Sequence, residues 1–123
     1  MLNEMKKYLE LAENRDGHNV LRIDVGYSLG GYNWYNGDDE PRGYYLYCTP
    51  CERKVNKTSD GKEYTCITEV VGKGGKTLLK QVTRQSKKAC EEAMRIAKEK
   101  EDWLVQRVLA MYGLTLKEET ICT

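Results

Sequence analysis

Between Val20 and Leu29 apolar and polar side chains alternate, with Leu21, Ile23, Val25, Tyr27 and Leu29 on one side and Arg22, Asp24, Gly26 and Ser28 on the other. Successive side chains of a strand point to opposite faces, so the stretch predicts a strand with one covered face, as in an antiparallel sheet. Alternation returns with Tyr44, Leu46 and Cys48 against Tyr45, Tyr47 and Thr49, and Pro50 predicts an edge, bend or bulge because it has no N–H to give a ladder. A third strand is predicted over residues 63–71, reached through a hairpin turn over Asn56 to Lys62 whose Asp60-Gly61 pair suits a positive φ, and a fourth over residues 76–83 after a tight turn at Gly72 to Gly75.

At the N-terminus the period is different. Leu2, Met5, Leu9 and Ala12 recur every three or four residues, with Tyr8 and Leu11 beside them, predicting a short amphipathic helix over residues 2–13 that Asn14 to Gly17 stops. After the fourth strand Ser86 is placed to cap a long helix to Tyr112, striped by Ala89, Ala93, Ile96, Ala97, Leu104, Val108 and Met111 and ended by Gly113. Such a helix is about 40 Å long. The expected fold class is therefore α+β: an antiparallel four-stranded meander with a short N-terminal helix and a long C-terminal helix packed on one face, in the order α-β-β-β-β-α. Residues 1–123 read as a single domain with an irregular tip at 30–43 and a tail at 115–123 that is an edge strand or flexible.

Composition narrows the function classes. No apolar run approaches the roughly 20 residues of a membrane span, and the N-terminal stripe carries acids and no small-residue cleavage site, so a cytoplasmic chain is expected. Five cysteines, an odd number with no framework spacing, read as thiols in a reducing compartment. The net charge of +1 hides three blocks: residues 1–40 carry net −4, residues 41–90 net +7 and residues 91–123 net −2. The basic middle either attracts phosphates or is neutralised by the chain's own acids.

Candidate chemistry is sparse. Cys48-Thr-Pro-Cys51 has metal-ligand spacing, but no second such pair follows, and residues three apart in a strand face opposite sides unless Pro50 bulges the backbone. Structural thiols are the better reading, and no cofactor is expected. His18 is the lone histidine and reads as a solvated loop residue; without a second one, most nucleophile–base pairs lack their commonest member. Gly72-Lys-Gly-Gly-Lys-Thr77 ends like a phosphate loop, yet its spacing is short and a strand follows it. An enzyme is not expected.

Surfaces remain. Tyr32, Trp34, Tyr35, Asp38, Asp39, Glu40 and Arg42 form an aromatic, acidic tip of the residue types that anchor protein interfaces or stack on bases, unless some of the rings fold back onto the sheet. Lys73, Lys76, Lys80, Arg84, Lys87 and Lys88 form a basic cluster, the last three around the start of the long helix, where cations do not favour the helix dipole. Trp103, Val105 and Leu109 lie outside the helix's main stripe, and either a homodimer through that helix or partial cover by the first helix would bury them.

The three strands and helix ending in TRQSKKACEEAMRIAKEKED resemble the arm-site DNA-binding domains of mobile-element integrases. Ser86-Lys87-Lys88-Ala89 resembles the start of the second helix of double-stranded-RNA-binding domains. GGYNWY and EPRGYYLYCTPCER resemble segments of uncharacterised small proteins of phages and conjugative elements in gut Firmicutes, elements that commonly encode anti-CRISPR and other anti-defence inhibitors. That resemblance implies a non-catalytic inhibitor that docks the tip on a host protein or nucleoprotein. The first two imply the alternative, a nucleic-acid-binding accessory protein whose basic cluster lies on the phosphates of DNA or RNA.

Overall fold

The computed structural model describes residues 6–33, 38–69 and 74–117. Its elements are β1 (Lys6–Glu10), β2 (Val20–Ser28), β3 (Gly31–Asn33), β4 (Asp38–Glu40), β5 (Gly43–Lys57), β6 (Glu63–Glu69), β7 (Gly75–Gln81) and α1 (Lys87–Tyr112). The fold is α+β, an antiparallel sheet with one long C-terminal helix on one face.

The 15-residue strand β5 is the spine. Cys51 stands opposite Val20 of β2 and Glu69 of β6, and Tyr47 stands opposite Asp24 of β2 and Lys76 of β7. Strands β6 and β7 therefore share the edge of β5 that β2 does not use. Both are antiparallel to β5, so β6 and β7 run in the same direction and are not joined as a hairpin, contrary to the tight turn expected at Gly72 to Gly75; residues 70–73 lie outside the described residues. The break in the ladder spans Thr49 and Pro50, where the missing proline N–H falls. Opposite β2 the same proline pairs with Leu21 in unbroken register, so no bulge forms there.

Two further expectations are corrected. The main sheet has five strands, β1, β2, β5, β6 and β7, rather than a four-stranded meander, and β3 and β4 form a separate two-stranded sheet. The helix expected over residues 2–13 is replaced, where the structure is described, by β1, which pairs antiparallel with β2 from Lys6 opposite Asp24 to Glu10 opposite Val20. Leu9 and Leu11 have a period of two while Leu9 also belongs to the helical stripe of Leu2, Met5 and Ala12, and the open edge of β2 decides between the periods by offering backbone partners. Residues 2–5 of the expected helix lie outside the described residues.

Strand alternation places Leu21, Ile23, Val25, Tyr44, Leu46 and Cys48 under α1, and each is fully buried. The helix meets them with Ala89, Cys90, Ala93, Ala97, Leu104 and Val108. At Gly75 the approach is so close that a Cβ there would lie 2.7 Å from Val108 Cγ2. The expected stripe erred at Met111, which is half-exposed, and omitted Val105 and Leu109, which the chain itself buries in the core with Leu11 and Leu114.

Both ends of α1 are tied to the sheet by tyrosine hydroxyls. At the start, Ser86 Oγ accepts from Ala89 N at 3.1 Å, and the buried Tyr44 hydroxyl accepts from Ser86 N at 3.3 Å. At the end, Tyr112 Oη accepts from Gly74 N at 2.8 Å, and Gly113, in the left-handed conformation, closes the last turn. The tail then returns to the sheet: Leu116 bridges Leu11, and Ala12 N donates to Thr115 O at 2.8 Å. This part of the tail makes one isolated bridge rather than a strand, and residues 118–123 lie outside the described residues.

Candidate functional site

The acidic tip is the far end of the β2–β5 hairpin, set off by a kink. Ladder pairing ends at Ser28 opposite Gly43 and resumes at Gly31 opposite Glu40, with Leu29-Gly30 and Pro41-Arg42 between. Gly30 has φ +73°, and a Cβ on it would lie 2.5 Å from Glu40 O and 2.8 Å from Arg42 N, so no other residue fits without rebuilding the bend.

Three side chains brace that kink. Tyr45 Oη donates to Pro41 O at 2.6 Å. Lys76 Nζ pairs with Glu40 Oε1 at 2.5 Å while lying 5.5 Å from the Tyr45 ring centroid. Arg42 donates from Nε to Leu29 O at 3.1 Å and from Nη1 to Thr83 O at 3.3 Å. Tyr45 and Lys76 belong to the face opposite α1, so β3 and β4 lean toward the open face. Burial, and then the nearby Glu40 carboxylate, raise the Tyr45 phenol above its ordinary range, so it stays a donor.

The expected contact residues therefore divide. Asp39 is exposed, opposite Tyr32 in the two-stranded ladder, and Asp38 stands opposite Asn33. Glu40 and Arg42 are structural braces at the base. Trp34 and Tyr35 lie outside the described residues.

The basic cluster divides in the same way. Lys76 is engaged by Glu40, Lys80 pairs with Glu92 of α1, and Lys73 lies outside the described residues. Arg84, Lys87 and Lys88 are exposed around the start of α1, whose first turn has no acid. An open groove of about 730 Å³ lies here, lined by Arg42, Gln81, Val82, Thr83, Arg84 and Ser86. Its chemistry suits an anion, with two guanidinium groups beside the amide end of a helix. The stretch counted as one cluster in sequence is thus two cations used internally and a smaller basic rim.

The open face of the sheet carries a third polar group. Arg22 pairs with Glu69 of β6 and lies 3.7 Å from Asp24 Oδ1. Burial is the largest influence on the half-buried Tyr47 and raises its phenol, against a hydrogen bond from Ser28 that lowers it; Tyr45, Asp24 and Glu40 raise it further.

Cys48 points into the core under α1, and Cys51, three residues on in an unbroken strand, points to the opposite face, so the pair has no common point for a shared ligand. Both are buried, and burial, followed by Glu101 and Cys51, pushes the Cys48 thiol up to about 12. Among the described residues no three His, Cys, Asp or Glu side chains come together as a metal site would require.

His18, expected in solvent, is buried. Asn14 folds its loop back: Asn14 Oδ1 accepts from Asp16 N and His18 N, both at 3.2 Å, and Gly17 takes a positive φ of 76°. No motif announced the Tyr44 and Tyr45 braces, because each hydroxyl meets a backbone group brought close only by the folded sheet.

Among the described residues no helix is long and apolar enough to cross a membrane. Comparison of the chain with protein-family models, with curated proteins and with solved structures returns no match in any of the three.

Proposed function

We propose that this chain is a non-catalytic binding protein of a phage or mobile element, an inhibitor that docks on a host nucleoprotein such as a CRISPR effector. The observation that carries this reading is the braced kink. Three separate side chains hold a two-stranded acidic hairpin apart from the main sheet in a defined direction, and preorganisation of this kind lowers the cost of docking. Asp39 is exposed on that hairpin, with Tyr32, Trp34, Tyr35 and Asp38 as its companions in the contact, and acids so displayed suit a basic nucleic-acid channel. The mobile-element origin rests on the resemblance of the tip and its flanks to small phage and conjugative-element proteins.

The test is recovery of a host defence protein from lysate by the tagged chain, with loss on Trp34→Ala and on Asp39→Lys. Recovery unaffected by both variants removes the hairpin from the contact.

A second reading, a nucleic-acid-binding accessory protein, is favoured by the groove between Arg42 and Arg84 and by the exposed Lys87 and Lys88 beside it. It is the weaker of the two because Lys76 and Lys80, which it needs on phosphates, are already paired with the chain's own carboxylates.

A further inference from the structure

Of the three apolar residues outside the expected stripe of α1, Val105 and Leu109 are buried by the chain itself, while Trp103 keeps 52% of its surface exposed. The strand β1 stands where a first helix was expected, and among the described elements α1 meets only β2, β5 and β7, so none of them covers its outer face. A tryptophan left in solvent at the middle of a helix face adds little to the core, and tryptophan and arginine are the side chains that anchor interfaces. Arg107 stands over the Trp103 ring, 5.5 Å from its centroid.

The charges around Trp103 select what fits this face. Glu99 and Arg107, both exposed, lie four residues before and four residues after it, which places them about 40° to opposite sides of it around the helix. Lys100 and Gln106 lie three residues away in the two directions, and the half-buried Ile96 and exposed Ala110 lie seven away. Along this face an acid before the tryptophan is matched by a base after it, a base by an amide, and a large apolar residue by a small one.

We infer that the outer face of α1 docks antiparallel on the same face of a second copy of this chain, with the two-fold axis at Trp103. Such an axis sets a residue before Trp103 against the residue equally far after it in the other copy, and it exchanges left for right. Glu99 therefore faces Arg107 of the second copy, and Arg107 faces Glu99, so the charge pair forms twice. Ile96 meets Ala110, Lys100 meets Gln106, and the two Trp103 rings meet at the centre. No like charges oppose one another between Arg95 and Met111 in this register. Within one chain Glu99 has only Arg95, at 3.8 Å with both side chains largely exposed, a contact too weak to compete. A parallel pairing would set Glu99 on Glu99 and Arg107 on Arg107, so charge selects the antiparallel one. The acidic hairpin leans toward the other face of the sheet, and the inference stands or falls apart from the proposed function.

The experiment is light scattering on the full chain across a concentration series. The mass is expected to rise from 14.2 kDa toward twice that value. Glu99→Lys and Arg107→Glu are each expected to stay monomeric, because each sets two like-charged pairs in contact. An equimolar mixture of these two variants is expected to regain the dimer, since every facing pair is then opposite in charge. Trp103→Ala is expected to stay monomeric with the wild-type melting profile, and Asp39→Lys to keep the dimer. A monomer at every concentration overturns the inference, as does a dimer that persists in Trp103→Ala or in both charge reversals. A mixture that stays monomeric when each variant alone is folded and monomeric overturns it too, because the charges then do not face one another across the axis.

Discussion

Lys76 Nζ lies 2.5 Å from Glu40 Oε1, joining a residue of the basic cluster to a residue of the acidic tip. Two groups that read as rival binding surfaces along the chain are thus one brace in space. Both side chains are partly exposed, so the pair is worth about 0.5–1 kcal/mol rather than the value of a buried ion pair. In a double-mutant cycle of Lys76→Met and Glu40→Gln, followed by urea unfolding, a coupling of about that size is expected, shrinking as salt is added. The more sensitive readout is amide exchange in residues 38–40, expected to quicken in either single variant. Exchange rates that match wild type would remove Lys76 from the brace.

Gly75 is set by the helix rather than by its own backbone. A methyl group there meets Val108 Cγ2 at 2.7 Å and Leu104 Cδ1 at 3.2 Å. Gly75→Ala should cost about 1–3 kcal/mol by overpacking. Adding Val108→Ala should cost less in that background than in wild type, because the new methyl fills part of the space it leaves. Simple additivity of the two changes would refute the contact.

Stability should fall with rising pH above about 9, where unfolded thiols ionise. The folded chain keeps the Cys48 proton up to about 12, mainly through burial. In that window the unfolded chain has released a proton that the folded chain still holds, so raising the pH favours unfolding. The contribution is complete below the unfolded thiol's pKa and is lost as pH climbs toward the folded one. Cys51, Tyr45 and Tyr47 are shifted in the same direction and add to the slope. Urea midpoints in alkaline buffers should decline less steeply for Cys48→Ala than for wild type. At neutral pH, iodoacetamide should modify the partly exposed Cys66 well before Cys48.

The two functional readings separate by salt. If Lys87 and Lys88 contact phosphates, duplex binding weakens steeply with added salt, and Lys87→Glu with Lys88→Glu abolishes it. The proposed inhibitor predicts instead that this pair leaves partner capture intact while Asp39→Lys removes it. Gel-shift and pull-down experiments on the same two variants check both.

The strand β2, the part of β5 before Pro50, the positive φ of Gly61, and the caps of α1 at Ser86 and Gly113 were legible in the sequence because each is a local matter, whereas the run of β5 on through Pro50 to Lys57 was not. Period-two alternation, a glycine with positive φ and a serine oxygen over a free helix N–H depend on residues within a few positions of one another. Other features depended on residues far apart in the chain. Leu9 fits the helical stripe of Leu2, Met5 and Ala12 and also alternates with Leu11 as in a strand, and only the unpaired edge of β2 settled the choice. Gly72 to Gly75 resembled a hairpin turn, yet β7 pairs with β5 in the same direction as β6, so the two strands are not a hairpin. The acids and bases of the middle segment were countable from the sequence, but whether Lys76 and Lys80 faced solvent or Glu40 and Glu92 was not. A one-dimensional pattern carries the choice of face and the local turn; strand partners and ion pairs are chosen by backbone edges and charges that meet only once the sheet and helix have packed.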